Sequence, residues 1–272
     1  MPEGGVSRAR TQSSRCAAFQ FSAAAGPLPE VVLDRVQREF RDGRGNGASV
    51  LALPFTSKAF RDLAADAVAS LRALLAIPDD YQVLFMQGGA SAQFSAVPLN
   101  LLRGRSTASY VDTGHWSGKA VAEARRYCTV NVAASSVATG YDRVPDSAQW
   151  MLETGAAYCH ITSNETAHGL QYRSPPDTGD VPLVADMTSD FLTRPLEIAR
   201  FGLIYASAQK NMGISGLTVV IVREDLLGQA HPCTPSVLDY GTQAKHSSLY
   251  NTPPTFAIYL AGLVFSWLHA QG

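Results

Sequence analysis

A lysine flanked by two apolar runs is the first feature of this sequence that could do chemistry. Segment 201–222 reads FGLIYASAQKNMGISGLTVVIV. Residues 203–206 and 217–222 each read as a short buried strand. Between them lie Ser207-Ala208-Gln209-Lys210-Asn211 and the glycines 213 and 216. A lone lysine is ordinarily a solvated surface charge. At the edge of an apolar sheet its amine is partly desolvated instead, which lowers its pKa and makes it a nucleophile toward aldehydes. That is the requirement for a Schiff-base lysine.

Other chemically able groups stand at the ends of further apolar runs. Gln87-Gly88-Gly89-Ala90-Ser91 follows a run ending at Met86 and precedes a helical pattern. Glycines there leave backbone N–H groups open and a helix N-terminus adds partial positive charge, which suits a phosphate. It has neither the GK[ST] ending of a P-loop nor a GxGxxG, and a Gly-Gly pair alone is usually only a turn. Asp186 ends Leu183-Val184-Ala185. It reads as a helix cap or as the anion that keeps a pyridine nitrogen protonated. Trp116, after Asp112-Thr113-Gly114-His115, reads as core or as a flat wall against a planar ring. Asn164-Glu165-Thr166 reads as a plain turn or as a donor to a cofactor hydroxyl. A phosphate cradle, an aromatic wall, a carboxylate and a lysine at strand ends of one sheet together describe a pocket for pyridoxal 5'-phosphate.

The elements that must position these groups are legible in outline. Helices are expected over 29–40, opened by Pro29, and over 58–75, capped by Ser57 with Phe60, Leu63, Ala67, Leu71 and Leu74 on one face. Strands are expected over 81–86, 108–112, 130–133, 156–162 and 183–186. Helices are expected over 91–102, with Pro98 as a kink, over 115–127 and over 253–269. Order is expected to begin near Phe19, and Gly43, Gly45 and Gly47 read as a loop. Strands alternating with helices imply βαβ crossovers and a mostly parallel sheet, with the ligand beyond the strands' C-terminal ends.

Composition excludes several classes. The 272 residues are 46% hydrophobic and 17% charged, which is globular. Lys plus Arg is 22 and Asp plus Glu is 23, a net charge of −1, so no basic excess calls for nucleic acid. No apolar run has the length of a bilayer span. Cys16, Cys128, Cys159 and Cys233 form no CxxC pair, and the six histidines show no ligand spacing, so neither a disulfide framework nor a metal site is expected. A reducing, cytoplasmic setting follows, with an organelle as the alternative because the first eighteen residues are rich in Arg and Ser.

From residue 19 to residue 272 the sequence resembles the phosphoserine aminotransferase family, class-V, fold-type I enzymes of pyridoxal phosphate. The matching segments are FQFSAAAGPLPEVVL, QVLFMQGGASAQFSAVPLNLL, YVDTGHWS, SNETAHG, VADMTSDFLTRP, YASAQKNMGISGLTVVIVREDLLG and SSLYNTPPTFAIYLAGLVFSWL. The resemblance implies a mostly parallel central sheet flanked by helices. Residues 1–18, Arg- and Ser-rich, are expected to be a disordered extension, and the resemblance implies a cofactor-binding large domain over 19–272, of which 19–60 contributes to the substrate loop and small domain. The family's C-terminal small domain is expected to be missing from this sequence. Lys210 would carry the cofactor, with Gln209 beside its phosphate and Ala90 and Ser91 as phosphate contacts. Trp116 would stack on the ring, Thr166 would contact the ring oxygen and Asp186 the ring nitrogen. Asn251 and Thr252 would reach the cofactor phosphate of a second subunit in a homodimer.

The implied reaction moves the amino group of L-glutamate to 3-phosphohydroxypyruvate in serine biosynthesis, giving O-phospho-L-serine and 2-oxoglutarate. One departure bears on substrate. The family's Ser-His-Arg before Ser-Lys is here Pro54-Phe55-Thr56 before Ser57-Lys58. A hydroxyl does not replace a bidentate guanidinium, so an altered, less anionic substrate is the alternative. A non-catalytic cofactor-binding subunit is a third reading.

Overall fold

A computed structural model describes residues 23, 25–42 and 49–272. The expectations for 1–18, for the start of order near Phe19 and for the glycine loop at 43–47 lie outside the described residues. The elements in chain order are α1 (Glu30–Asp42), α2 (Lys58–Leu75), β1 (Tyr81–Met86), α3 (Gly89–Leu101), β2 (Thr107–Asp112), α4 (His115–Ala124), β3 (Thr129–Ser135), β4 (Cys159–Thr162), β5 (Asn164–Glu165), β6 (Leu170–Gln171), β7 (Leu183–Asp186), β8 (Leu203–Ser207), β9 (Thr218–Arg223), α5 (Tyr240–Lys245) and α6 (Thr255–Gln271).

A seven-stranded sheet in the order β1-β9-β8-β7-β4-β2-β3 forms the centre. β2 pairs in parallel with β3 and β4, β4 with β7, and β7 with β8. β9 alone runs against its neighbours β1 and β8. The reversal follows from the short connection: ten residues between β8 and β9 are too few for a helical crossover, so the chain must turn back. β5 and β6 form a separate two-stranded hairpin.

Side-chain alternation divides the core in two. Val83, Phe85, Val219 and Ile221 face α2 and α6, while Leu84, Met86, Val220 and Val222 face α3, α4 and α5. Every central strand is buried on both faces, which is why these strands are continuous apolar runs rather than alternating ones. α2 begins where Ser57 Oγ accepts from Phe60 N at 3.2 Å, a cap that contributes about 1 kcal/mol. It ends at Ala76 in a left-handed conformation (φ 48°), with Pro78 two residues on. α6 is apolar on nearly all sides because it is buried against α2 on one side and α1 on another.

Differences from the sequence expectations have local causes. The helix expected over 115–127 ends at Ala124, because Arg126 N and Tyr127 N bond to carbonyls three residues back and close a tighter turn. The strand expected from 156 begins at Cys159, although Ala157 N→Thr107 O (2.8 Å) and Ser109 N→Tyr158 O (2.9 Å) already extend the pairing with β2. Asn164 and Glu165 are the first strand of the hairpin rather than a plain turn.

The N-terminal segment closes over the lysine turn. Gly26 N donates to Gln209 O at 3.0 Å, and a Cβ on Gly26 would stand 1.7 Å from the carbonyl oxygen of Lys210. Only glycine permits that approach. Gly26→Ala is therefore expected to push the strap off the turn and to weaken cofactor binding about tenfold or more. A cofactor titration checks this, and wild-type affinity in the variant would contradict it.

Candidate active site

The parallel strands deliver their C-terminal ends to one edge of the sheet, and a cavity of about 180 Å³ opens there. It is lined by Gly89, Ala90, Ser91, Trp116, Thr162, Asn164, Asp186, Thr188, Ser189, Ser207, Gln209 and Lys210. Of the residues read from sequence, Ala90, Ser91, Trp116, Asp186, Gln209 and Lys210 are thus brought together.

Lys210 lies just past β8 on a turn pinned at several points. Ala208 N bonds to Leu217 O (2.9 Å), Gln209 O accepts from Gly26 N, and Asn211 Nδ2 donates to Phe191 O (2.9 Å). Lys210 Nζ donates to Thr166 Oγ1 at 3.2 Å. Burial lowers its pKa, against the pull of Asp186, Asp190 and Glu165. Trp116 Nε1 donates to the same Thr166 oxygen at 3.1 Å. With two donors arriving, Thr166 keeps its own O–H to give to a third group.

Asp186 ends β7 and is 4% exposed. Its Oδ1 accepts from Thr188 N at 2.9 Å, and Thr188 Oγ1 in turn accepts from Ser207 N at 3.2 Å. Burial raises its pKa to about 6, opposed by the Thr188 hydrogen bonds and by Lys210.

α3 starts at Gly88, whose φ of 91° and crowding (a Cβ would meet the Ala92 Cβ at 2.5 Å) admit no other residue. The helix has no side-chain cap and no acid in its first turn, so its amide donors are open toward the cavity at Gly89, Ala90 and Ser91.

Trp116 is held by a residue whose role the sequence reading did not assign. Glu165, fully buried, accepts from Trp116 N (3.0 Å) and Ser117 N (2.7 Å). A carboxylate on the N-terminus of α4 fixes the helix and with it the indole. The signal was an acid in a short polar segment, but its partners lie about fifty residues away and no spacing rule reaches them. Thr188 and Thr162 also lie at the site without having been singled out.

The remaining candidates stand apart from the cavity. Asn251 Oδ1 accepts from Gln243 Nε2 (3.3 Å), and Thr252 O accepts from Gln87 Nε2 (2.8 Å), the residue that leads into the Gly88 turn. Phe55 is half-buried against the α2/α6 core and Thr56 is exposed.

The donor set fits pyridoxal phosphate. Gln209 Oε1 and Thr162 Oγ1 are buried at the site without partners. Such atoms are costly unless a polar group meets them. An uncapped helix start, a carboxylate, an indole and a desolvated amine supply one partner for each part of that cofactor.

A lysine past one strand and a buried carboxylate ending the next, in a mostly parallel sheet, make the site that of a pyridoxal-phosphate-dependent transferase. The family model described as Aminotransferase class-V matches residues 18–272. The chain belongs to this family, within its phosphoserine aminotransferases. It is 55% identical over 255 residues to phosphoserine aminotransferase of Pseudomonas aeruginosa, covering 94% of this chain and 71% of that protein. It superposes on the phosphoserine aminotransferase of Bacillus circulans subsp. alkalophilus with a TM-score of 0.90 at 47% identity, over 93% of this chain and 70% of the other. The pyridoxal-phosphate-bound enzyme of Trichomonas vaginalis gives 0.88 at 38% identity, over 94% and 72%.

Proposed function

We propose that this chain transfers the amino group of L-glutamate to 3-phosphohydroxypyruvate with pyridoxal phosphate, yielding O-phospho-L-serine and 2-oxoglutarate. The observation that carries it is the convergence of Lys210, Asp186, Trp116 and the α3 N-terminus on one cavity, in a chain 55% identical to a phosphoserine aminotransferase. That identity favours this reading over a relative with another substrate or a non-catalytic subunit.

The cofactor, when bound, supplies an electron sink that makes the substrate's Cα–H acidic. The chain's own residues do the rest. With the cofactor bound, Lys210 Nζ would hold it, give way to the substrate amine, and then take the Cα proton as base and pass it as acid to the cofactor carbon that carries the substrate nitrogen rather than back to Cα. Burial lowers the lysine's pKa and so favours the unprotonated amine that this work needs. Asp186 holds the ring nitrogen's proton. The Thr166 O–H is free to donate to the ring oxygen. The first amides of α3, with Ser91 and Gln209, bind the phosphate and fix the ring's position. Trp116 covers the ring face and keeps water from it.

Asn251 and Thr252 are read as contacts to the cofactor phosphate of a second copy in a homodimer. What supports this is that neither lines the cavity of its own chain. Sedimentation with and without cofactor tests it, and a monomer that turns over fully would oppose it.

Phe55 and Thr56 stand where a His-Arg pair would hold the anionic substrate. Restoring the pair, Phe55→His with Thr56→Arg, is expected to lower KM for 3-phosphohydroxypyruvate about tenfold, the scale of one added charge-assisted hydrogen bond. An unchanged KM would count against this loop as the anion clamp. The reaction itself is tested by comparing acceptors. Turnover with 3-phosphohydroxypyruvate should exceed that with the unphosphorylated ketoacid by at least about tenfold, and equal turnover would favour the less anionic substrate.

A further inference from the structure

The turn over residues 187–194, which follows Asp186, carries a second carboxylate that does not line the cofactor cavity. Asp190 is 5% exposed. Its Oδ1 accepts from Ser163 Oγ, and its Oδ2 accepts from Gln171 Nε2 (3.1 Å) and from Arg194 Nη2 (3.2 Å). The same Nη2 donates to Tyr172 O at 2.7 Å. Ser163 directly precedes β5, Gln171 ends β6 and Tyr172 follows it. One buried carboxylate thus gathers both legs of the β5–β6 hairpin at its base.

The hairpin needs that support. It has only two cross-strand pairs, and an isolated two-stranded hairpin is marginal at best in water. Its turn carries Thr166, the acceptor of Lys210 Nζ and of Trp116 Nε1. Glu165 ties its far end to α4. Asp190 ties its base to the turn after Asp186, and that turn is fastened in its own right to Asp186 and to the lysine turn. Thr188 N donates to Asp186 Oδ1, and Asn211 Nδ2, next to Lys210, donates to Phe191 O. Ser189 and Asn164 add a reciprocal pair of neutral hydrogen bonds across the same joint. Hydrogen bonds to a carboxylate are roughly twice as strong as such neutral ones.

We propose that Asp190 is a positioning residue, which fixes the hairpin so that Thr166 and Asp186 stand at a set separation across the cavity. It rests on the reading of Thr166 as partner of the cofactor's ring oxygen and of Asp186 as partner of its ring nitrogen. The need is geometric. A pyridine ring is rigid, so the groups that meet its oxygen and its nitrogen must keep a matching separation. A displacement of 1 Å at such a contact can cost about 10²-fold in rate.

Asp190 also carries charge, which helps Lys210 retain its proton. Position and charge can be separated, because asparagine is able to keep all three contacts. Its carbonyl oxygen takes the place of Oδ2, and its N–H group donates to Ser163 Oγ. The Ser163 hydroxyl then turns its own proton to Asp186 O, 3.0 Å away. Asp190→Asn removes the charge and keeps the joint, whereas Asp190→Leu, of similar size, removes both.

The test reads the 15N-labelled indole N–H of Trp116 in the whole cofactor-free chain, and kcat and KM in the cofactor-loaded one. Thr166→Val supplies the reference resonance of an indole without its acceptor. Asp190→Leu should move the resonance toward that reference and lower kcat about tenfold, with KM for L-glutamate within about twofold. Gln171→Leu, at an exposed position, should move both in the same direction by less. Asp190→Asn should keep the wild-type resonance and a kcat within about twofold of wild type.

A folded Asp190→Leu chain with either a wild-type resonance or a wild-type kcat, beside a Thr166→Val chain that has lost kcat, would overturn the positioning role alone. A wild-type kcat in Thr166→Val would overturn the ring-oxygen reading and the positioning role with it. An Asp190→Asn chain as impaired as Asp190→Leu would assign the effect to charge and overturn the role as well. Should Asp190→Leu not fold, a Gln171→Leu chain with wild-type resonance and kcat would overturn it equally.

Discussion

Replacing Lys210 by alanine is expected to lower transamination by about 10³-fold or more, within the range that a positioned general acid–base contributes. The lysine turn is pinned by backbone and Asn211 bonds rather than by the lysine side chain, so the fold should survive the change. The variant should still bind pyridoxal phosphate through the α3 amides, Trp116 and Asp186, but without a covalent link. Borohydride reduction of the wild type should leave the cofactor on the peptide containing Lys210, and on no peptide of the variant. Residual glutamate-dependent turnover near the wild-type rate would remove the role assigned to this residue. Burial lowers the pKa of the amine, so covalent attachment should rise with pH and level off at a lower pH than for a solvated lysine.

Asp186→Asn is expected to separate stability from function. In the cofactor-free chain the carboxyl titrates at about 6, against about 3.9 for an unfolded aspartate. Below about pH 4 both states are protonated and the group contributes nothing. Between about 4 and 6 the unfolded state releases its proton while the folded state holds it, so stability falls as pH rises. Above about pH 6 the full penalty stands, on the order of 2–3 kcal/mol. Asparagine carries no charge and can still accept from Thr188 N, so the variant should melt higher than wild type near pH 8 and about the same near pH 4. Catalysis should fall about 10²-fold or more, because the ring nitrogen loses its anion. Pyridoxal phosphate should raise the melting temperature of wild type more than that of the variant. A lower melting temperature for the cofactor-free variant at pH 8 would contradict this account of Asp186.

What the sequence disclosed and what it hid divide along one line. Lys210, Asp186 and the Gly88 turn were legible because each follows a buried strand directly, and strand ends in a parallel sheet point to one edge. The resemblance then gave roles to Trp116, Thr166 and Gln209; the structure brings Trp116 and Gln209 to that edge, and Thr166 accepts there from both Trp116 and Lys210. Glu165 was visible as a residue but not as the clamp on α4, because its partners lie far along the chain. The contact between Gly26 and the lysine turn was hidden for the same reason. So was the joint at Asp190, because a polar turn and two short polar segments do not reveal that Ser163, Gln171 and Arg194 meet on one carboxylate. β5 and β6, two residues each, are below the length at which alternation can be read.

Transfer of an amino group from glutamate to a phosphorylated ketoacid can be followed atom by atom. The cofactor-loaded chain is supplied with 15N-labelled L-glutamate and 3-phosphohydroxypyruvate and the label is followed by NMR. The expected result is 15N in O-phospho-L-serine together with an equal amount of 2-oxoglutarate. Label that stays in glutamate, in a chain shown by borohydride reduction to hold pyridoxal phosphate on Lys210, would contradict it.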